Sequence, residues 1–175
     1  MSEFKNKKIN FKKGFSLLEM VIYISILVLV LVVVVNMTTV IILSQKKVAS
    51  LRVIEHSSGV SLDRMTREIK DSLDVDIVES VFGVHPGKLV LDTTDLEGNP
   101  KKIEFYIDAN TLILKDGLTE NPLTDAEVSV TNLVFQQVTE NRAKAIRMEL
   151  TLEAGAGEFY RSEDFLAAAL IRNAN

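Results

Sequence analysis

Hydrophobic and polar positions divide the chain into three regimes. From Phe15 to Leu43 nearly every side chain is apolar; the exceptions are Ser16, Glu19, Ser25, Asn36, Thr38 and Thr39, with Tyr23 amphipathic. Neither glycine nor proline interrupts this run. At about 1.5 Å per residue, Met20 to Leu43 predicts a helix of about 36 Å, enough to cross a hydrocarbon core of about 30 Å. From Ser44 to Asp76 charges enter the pattern, and Val48, Leu51, Leu62, Met65 and Ile69 recur at three- and four-residue steps. The same helix is therefore expected to continue as an amphipathic one. Glu55 and Ser58, with Gly59 adjacent, weaken the middle of that face and predict a bend or loosening near Ser57-Ser58-Gly59.

From Ile77 the period becomes two. KLVLDTT, KKIEFYID, TLILKD, EVSVTNLVFQQV and AIRMELTLE read as strands. In the last, Ile146, Met148, Leu150 and Leu152 alternate with Arg147, Glu149, Thr151 and Glu153, the mark of a sheet with one wet face. Turns are expected at Glu97-Gly98-Asn99-Pro100, Asp108-Ala109-Asn110, Glu120-Asn121-Pro122 and Glu140-Asn141-Arg142. The fold class predicted is α+β, a long N-terminal helix packed on an antiparallel β-sheet.

Charge assigns direction to this plan. Before Phe15 stand Lys5, Lys7, Lys8, Lys12 and Lys13 against Glu3, a local balance of +4, while the whole chain of 175 residues carries −4. The remainder therefore carries −8. Lysines flanking an apolar span mark its cytoplasmic end, which sends the acidic remainder across the membrane. An acidic bulk also argues against nucleic-acid binding driven by phosphate neutralisation. With no cysteine, disulfides and thiolate metal sites are excluded.

A secretory signal peptide needs a shorter apolar core, about 7–15 residues, followed by small residues, whereas NMTTVIILSQKK follows here. A passive signal anchor accounts for the lysines and the length but not for Glu19. A carboxylate deep in a bilayer costs on the order of 2.5–3.5 kcal/mol, less near the headgroups, to which Glu19 can snorkel.

The stretch KKGFSLLE followed by a long uncharged helix closely resembles the N-terminus of type IV pilin-like precursors. That resemblance implies a prepilin peptidase that cuts after Gly14 and methylates the new amine of Phe15, with Glu19 required for assembly and methylation. It divides the chain into a cytoplasmic leader (1–14), a transmembrane and filament-core helix (15–43), its amphipathic continuation (44–76) and an extracytoplasmic β-rich domain (77–175). Physical chemistry supports the placement: a terminal ammonium at Phe15 and a carboxylate on a neighbouring helix form a pair whose separation would strand a buried charge, at about 3–5 kcal/mol. Such a pair would set the axial offset that greasy helices alone cannot specify. Many major pilins carry a proline about two-thirds along this run; Asn36, followed by Met37-Thr38-Thr39, stands in that region here, which leans toward a minor subunit. The helix end LDRMTREIKDSL, strands without cysteine and the ending FYRSEDFLAAALIRN resemble J-type minor pseudopilins of type II secretion and PilW-type minor pilins, in which a sheet and an extended C-terminal segment follow the helix. The partners implied are the prepilin peptidase, other pilins or pseudopilins through the N-terminal helix, and an inner-membrane assembly platform. The location implied is the inner membrane, single-pass, and then the pilus or pseudopilus. Two alternatives belong to other classes: an anchored extracytoplasmic binding domain that never assembles, and a tip adhesin or DNA receptor relying on Arg142, Lys144 and Arg147.

Other chemistry is sparse. His56 and His85 lack partners at ligand spacing, and Ser57-Ser58 lacks the strand–elbow context of a nucleophile. Gly155-Ala156-Gly157 lacks the lysine and length of a phosphate-binding loop. Asp92, Asp95, Glu97 and Asn99 around Gly98 offer oxygens for Ca²⁺, which needs six to eight, but read first as a polar hairpin tip. Asp63, Glu68, Asp71, Asp74 and Asp76 lie along a helix and its exit rather than in one cleft, so no acid–base pair is expected. No enzyme and no cofactor is predicted.

Overall fold

The computed structural model of the protein describes residues 14, 16–95, 97–140 and 143–171. Its architecture is α+β and pilin-like, one long N-terminal helix and antiparallel sheets. The chain forms two compact units divided between Ser44 and Gln45. Helix α1, Leu17–Asp71, runs through 55 residues and contributes to both.

In the first unit the apolar side chains of α1 from Leu17 to Leu43 are exposed all round. Three hydroxyls are satisfied within the helix: Ser25 Oγ donates to Val21 O at 2.8 Å, Thr38 Oγ1 to Val34 O at 2.8 Å and Thr39 Oγ1 to Val35 O at 3.0 Å. A hydroxyl bonded to the carbonyl one turn back presents only its carbon side to the surroundings, which is what a lipid-facing helix requires. The helix passes Asn36 to Thr39 without a break.

The second unit buries the other half of α1 against two meanders. Strands β1 (Asp74–Val75), β2 (Leu89–Thr94), β3 (Pro100–Asp108), β4 (Thr111–Asp116) and β5 (Thr119–Pro122) form one sheet in sequence order. Strands β6 (Val128–Glu140), β7 (Ala143–Ala154) and β8 (Arg161–Leu170) form the second, also antiparallel. The single sheet expected is thus two. Inward side chains converge on one core: Leu89, Leu91, Ile103, Phe105, Leu112 and Leu114 from the first sheet, and Leu133, Phe135, Ile146, Met148, Leu150 and Leu152 from the second. Along β6 the buried positions change phase from Val128 and Val130 to Leu133 and Phe135, and a register shift between Val130 and Asn132 absorbs the extra residue.

Several boundaries differ from the pattern. The helix ends at Asp71 rather than Asp76, because Ser72 Oγ closes on Ile69 O at 2.8 Å and Leu73 N–H already donates to Asp92 O of β2. Glu120-Asn121-Pro122 is not a turn but most of the fully exposed edge strand β5, whose outer position tolerates a proline. The alanine-rich tail is strand β8, its Phe165, Ala167 and Ala169 in register with Leu150, Met148 and Ile146. At Ala109 and Asn110, φ values of 45° and 63° make the tight β3–β4 connection. The turn expected at Glu140-Asn141-Arg142 falls on Asn141 and Arg142, which lie outside the described residues.

The core face of α1 is Ile54, Ser57, Ser58, Ser61, Met65 and Ile69. Met65 and Ile69 were expected on it; Val48 is exposed and Leu62 sits at its margin. No break interrupts the helix at Ser57-Ser58-Gly59, because the serines hold it to the sheets. Ser57 Oγ donates to Asp125 Oδ2 at 3.0 Å and accepts from Asp125 N–H at 3.3 Å, while Ser61 Oγ donates to Leu123 O at 3.2 Å. A small hydroxyl lets the helix approach the 123–125 segment and satisfies its polar groups. Ser57→Ala is expected to lower stability by about 0.5–1.5 kcal/mol, the net worth of a hydrogen bond whose other partner, exposed Asp125, can turn to water, measured by urea unfolding of the full chain in detergent.

A second tie joins the two sheets. Lys144 Nζ of β7 lies 2.6 and 2.7 Å from the two carboxylate oxygens of Asp74 in β1. That bond, ahead of the Val75 N–H, holds the Asp74 carboxyl below its ordinary 3.8. A carboxyl depressed on folding contributes stability that is complete above its unfolded value and is lost as the pH falls through its folded value. Because both side chains are part-exposed, the pair is worth under about 1 kcal/mol. Lys144→Met should cost that much at pH 7, with the difference from wild type shrinking as urea titrations move below pH 3.8.

Candidate functional site

The start of α1 gathers the residues singled out by sequence. Gly14 is exposed, and a Cβ built on it meets nothing within 4 Å. Packing against the described residues therefore does not require its lack of a side chain. Phe15 lies outside the described residues. Helix hydrogen bonding begins at Ser16, whose carbonyl accepts from Met20 N–H at 3.1 Å. Ser16 thus stands at the N-cap position, with Glu19 third in the first turn.

Glu19 has two local supports. A carboxylate in the first turn is favoured by the helix dipole, by roughly 0.3–1 kcal/mol. One turn on, the Tyr23 phenol donates to Glu19 Oε1 at 3.0 Å. Sequence reasoning treated Tyr23 only as an amphipathic member of the span, although its four-residue offset from Glu19 was the signal that could have revealed the pair. The bond fixes the carboxylate on the helix surface and partly satisfies it before any other molecule arrives. Among the described residues, Tyr23 is the one that donates to this carboxylate.

The remaining candidates disperse. Asp95 organises its own turn: Oδ1 accepts from Glu97 N–H at 2.9 Å and Asn99 N–H at 2.8 Å, and Oδ2 from the Asn99 amide at 3.0 Å. Those bonds, the Asn99 side chain first, hold its carboxyl below the ordinary range. Asp92 lies back in β2, in register with Lys102. Among the described residues, no group of three or more histidine or acidic side chains is placed to hold a metal ion. Asp76 is likewise committed to Lys102, at 2.7 Å. His56 is exposed. Exposed His85 accepts from Leu133 N–H through Nδ1 at 3.0 Å and, with Gly83 and Gly87, pins its loop along the edge of β6. Of the three basic residues considered for nucleic acid, Lys144 is bound to Asp74, Arg147 lies 3.3 Å from Glu149, and Arg142 is outside the described residues.

What this arrangement can do is associate. Among the described residues, one helix, α1, is long and apolar enough to cross a membrane, with a mean hydropathy of 3.1 over its most apolar window. Residues 9–35 match a family model described as the prokaryotic N-terminal methylation motif. The match covers the leader end, Gly14, Phe15, Glu19 and most of the apolar run, and it supports a type IV pilin-like protein of the kind processed by prepilin peptidase and assembled with other pilins. Together with the apolar helix it is consistent with a single-pass membrane anchor. Comparison with curated proteins and with solved structures returned no match.

The geometry makes Tyr23 a positioning residue for Glu19. Tyr23→Phe, which removes the hydroxyl and keeps the ring, should leave membrane insertion unchanged. It should lower the yield of cross-links between the N-terminal helices of co-expressed pilin subunits, by less than loss of the carboxylate itself does.

Proposed function

We propose that the protein is a minor pilin or pseudopilin, inserted in the inner membrane as a precursor, cut after Gly14, methylated on Phe15, and then built into a helical filament or its priming tip. The observation that carries this reading is the Glu19 carboxylate, placed in the first turn of an otherwise uncharged helix at a fixed offset from the Gly14-Phe15 junction. Cleavage creates a cationic amine four residues before Glu19 in the sequence. In a bundle of such helices, the amine of an incoming subunit can meet the Glu19 carboxylate on a neighbour. Its role is structural, with no catalytic step of its own.

Minor rather than major status is supported by the unbroken helix across Asn36–Thr39, where a proline would interrupt it. The J-type or PilW-type assignment is supported by the short helix-end and C-terminal motifs, and by β8 as an extended strand at the position those proteins lead one to expect. The acidic extracytoplasmic domain would present its sheets to neighbouring subunits, and the assembly platform of a type II secretion system or type IV pilus would draw the helix from the bilayer.

Two measurements decide the matter. Co-expression with a prepilin peptidase, followed by mass analysis of the N-terminus, should give a chain starting at Phe15, with or without a methyl group; an intact Met1 or Ser2 start removes the assignment. Glu19→Ala should abolish cross-linking to pilin partners while the chain remains in the membrane fraction. If cross-linking persists at the wild-type level, the protein is an anchored domain that does not assemble through this pair.

A further inference from the structure

Beyond Glu19 and Tyr23, the polar side chains of the apolar run are Ser25, Asn36, Thr38 and Thr39. The three hydroxyls close on carbonyls of their own helix. Asn36 does not: it is exposed, and among the described residues nothing donates to its carboxamide or accepts from it. It stands seven residues before Leu43, so about 10 Å of apolar helix separates it from the nearer end of the run. An asparagine side chain, two carbons long, does not reach headgroups from there. In hydrocarbon an open carboxamide is costly, and another helix is where its partners come from.

The neighbours of Asn36 on the helix show which face that partner meets. Ser25, Leu29, Val32, Asn36, Thr39 and Leu43 follow one another at alternating steps of four and three. That spacing draws one seam along a helix, the seam on which two helices interlock. All six residues are exposed in the chain alone. Ser25 and Thr39 are its small members, and with their hydroxyls turned onto Val21 O and Val35 O they let a second backbone approach. Glu19 lies about 100° round the helix from Asn36, so the seam leaves the Glu19 face clear.

We propose that two copies of this chain pair in the membrane as a parallel dimer along this seam, with their Asn36 carboxamides hydrogen-bonded to each other. The proposal rests on the reading of α1 as a membrane span. A second copy inserted the same way round carries its Asn36 at the same depth, related by a two-fold axis along the membrane normal. The carboxamide is self-complementary, since the N–H of each donates to the carbonyl oxygen of the other. A single asparagine at such a seam position fixes register and pairing state, because sliding by one turn leaves both amides without partners. The stored subunit is thus a dimer in equal register, which parts before the staggered pairing through Glu19 forms.

Because the chain has no cysteine, single cysteines report the pairing without background. The full-length precursor would be expressed in a bacterial host that lacks prepilin peptidase and other pilins, and its membranes oxidised with copper phenanthroline. Leu29→Cys and Val32→Cys, on the seam, should give disulfide-linked dimers in roughly fivefold or higher yield than Leu27→Cys and Leu31→Cys, which lie on the opposite side of the helix. Adding Asn36→Leu should lower the Leu29→Cys yield by roughly threefold or more, whereas Asn36→Gln, which keeps a carboxamide, should retain most of it. Resistance of each variant to carbonate extraction tests the span itself. If the variants stay in the membrane but all four cysteines cross-link alike, the dimer is wrong and the span stands. If the seam cross-links best but Asn36→Leu changes nothing, the carboxamide pair is wrong. Extraction of the wild-type chain by carbonate removes the membrane reading and the proposal with it. Seam cross-links that appear only when another pilin is co-expressed would assign Asn36 to a different subunit and overturn the proposal.

Discussion

The exposed apolar surface of the first half of α1 is the constraint from which the rest follows. Twenty-two large apolar side chains between Leu17 and Leu43 stand exposed. At roughly 1–2 kcal/mol each, leaving them in water would cost tens of kcal/mol. A domain of this size is held by only about 5–15 kcal/mol in total. No arrangement of the β-domain could compensate, so this surface needs another environment, lipid or a sheath of similar helices. Both environments forbid unpaired polar groups, which is why Ser25, Thr38 and Thr39 fold their hydroxyls back onto the helix and why a carboxylate among them needs a reason.

One continuous helix therefore serves two solvents. Up to Leu43 its surface is almost wholly carbon, Glu19 and Asn36 apart. Past Gln45 it has a core side and a water side, and the core side is built unusually: three serines, Ser57, Ser58 and Ser61, sit where large apolar residues would be expected. Their small volume brings the backbone near the 123–125 segment; the Ser57 and Ser61 hydroxyls hold that segment, while Ser58 Oγ donates to Glu55 O of its own helix. In the span the same chemical group is turned inward on its own helix; at Ser57 and Ser61 it is spent on a tertiary bond. The difference lies in what stands opposite, which is nothing polar in one half and a strand-flanking loop in the other.

That contrast explains which parts of the structure were legible in the sequence. Long-period signals were: the span, the helix continuing beyond it, and five strands with alternating residues, of which β7 buries the four side chains its pattern named. Buried serines were not, because a serine on a helix reads as a weak point unless its partner, here Asp125, is known to be close. Nor was β5, since an Asn-Pro pair signals a turn and only an edge position excuses it. Strand β8 has helix-prone alanines, and tertiary register against Ile146, Met148 and Leu150 overrides that preference. At the candidate site Gly14, Phe15 and Glu19 were legible as a motif, while the Tyr23 bond required the geometry.

That bond bears on how a charge can be both tolerated and useful. A bare carboxylate near the headgroups can keep water, and a fully paired one has nothing left to offer a neighbour. Tyr23 donates to one oxygen, which lowers the cost of holding Glu19 at the edge of an apolar helix; on the proposed reading the carboxylate still forms a charge-assisted bond to a neighbour's amine. Valine and leucine surfaces slide past one another with little preference for position, so a bundle of such helices has no intrinsic axial register. On the proposed reading, a single acid per subunit supplies it in the filament. The helix remains soluble in lipid meanwhile, and the acid gains its charged partner only where a neighbour's terminal amine stands at the right height.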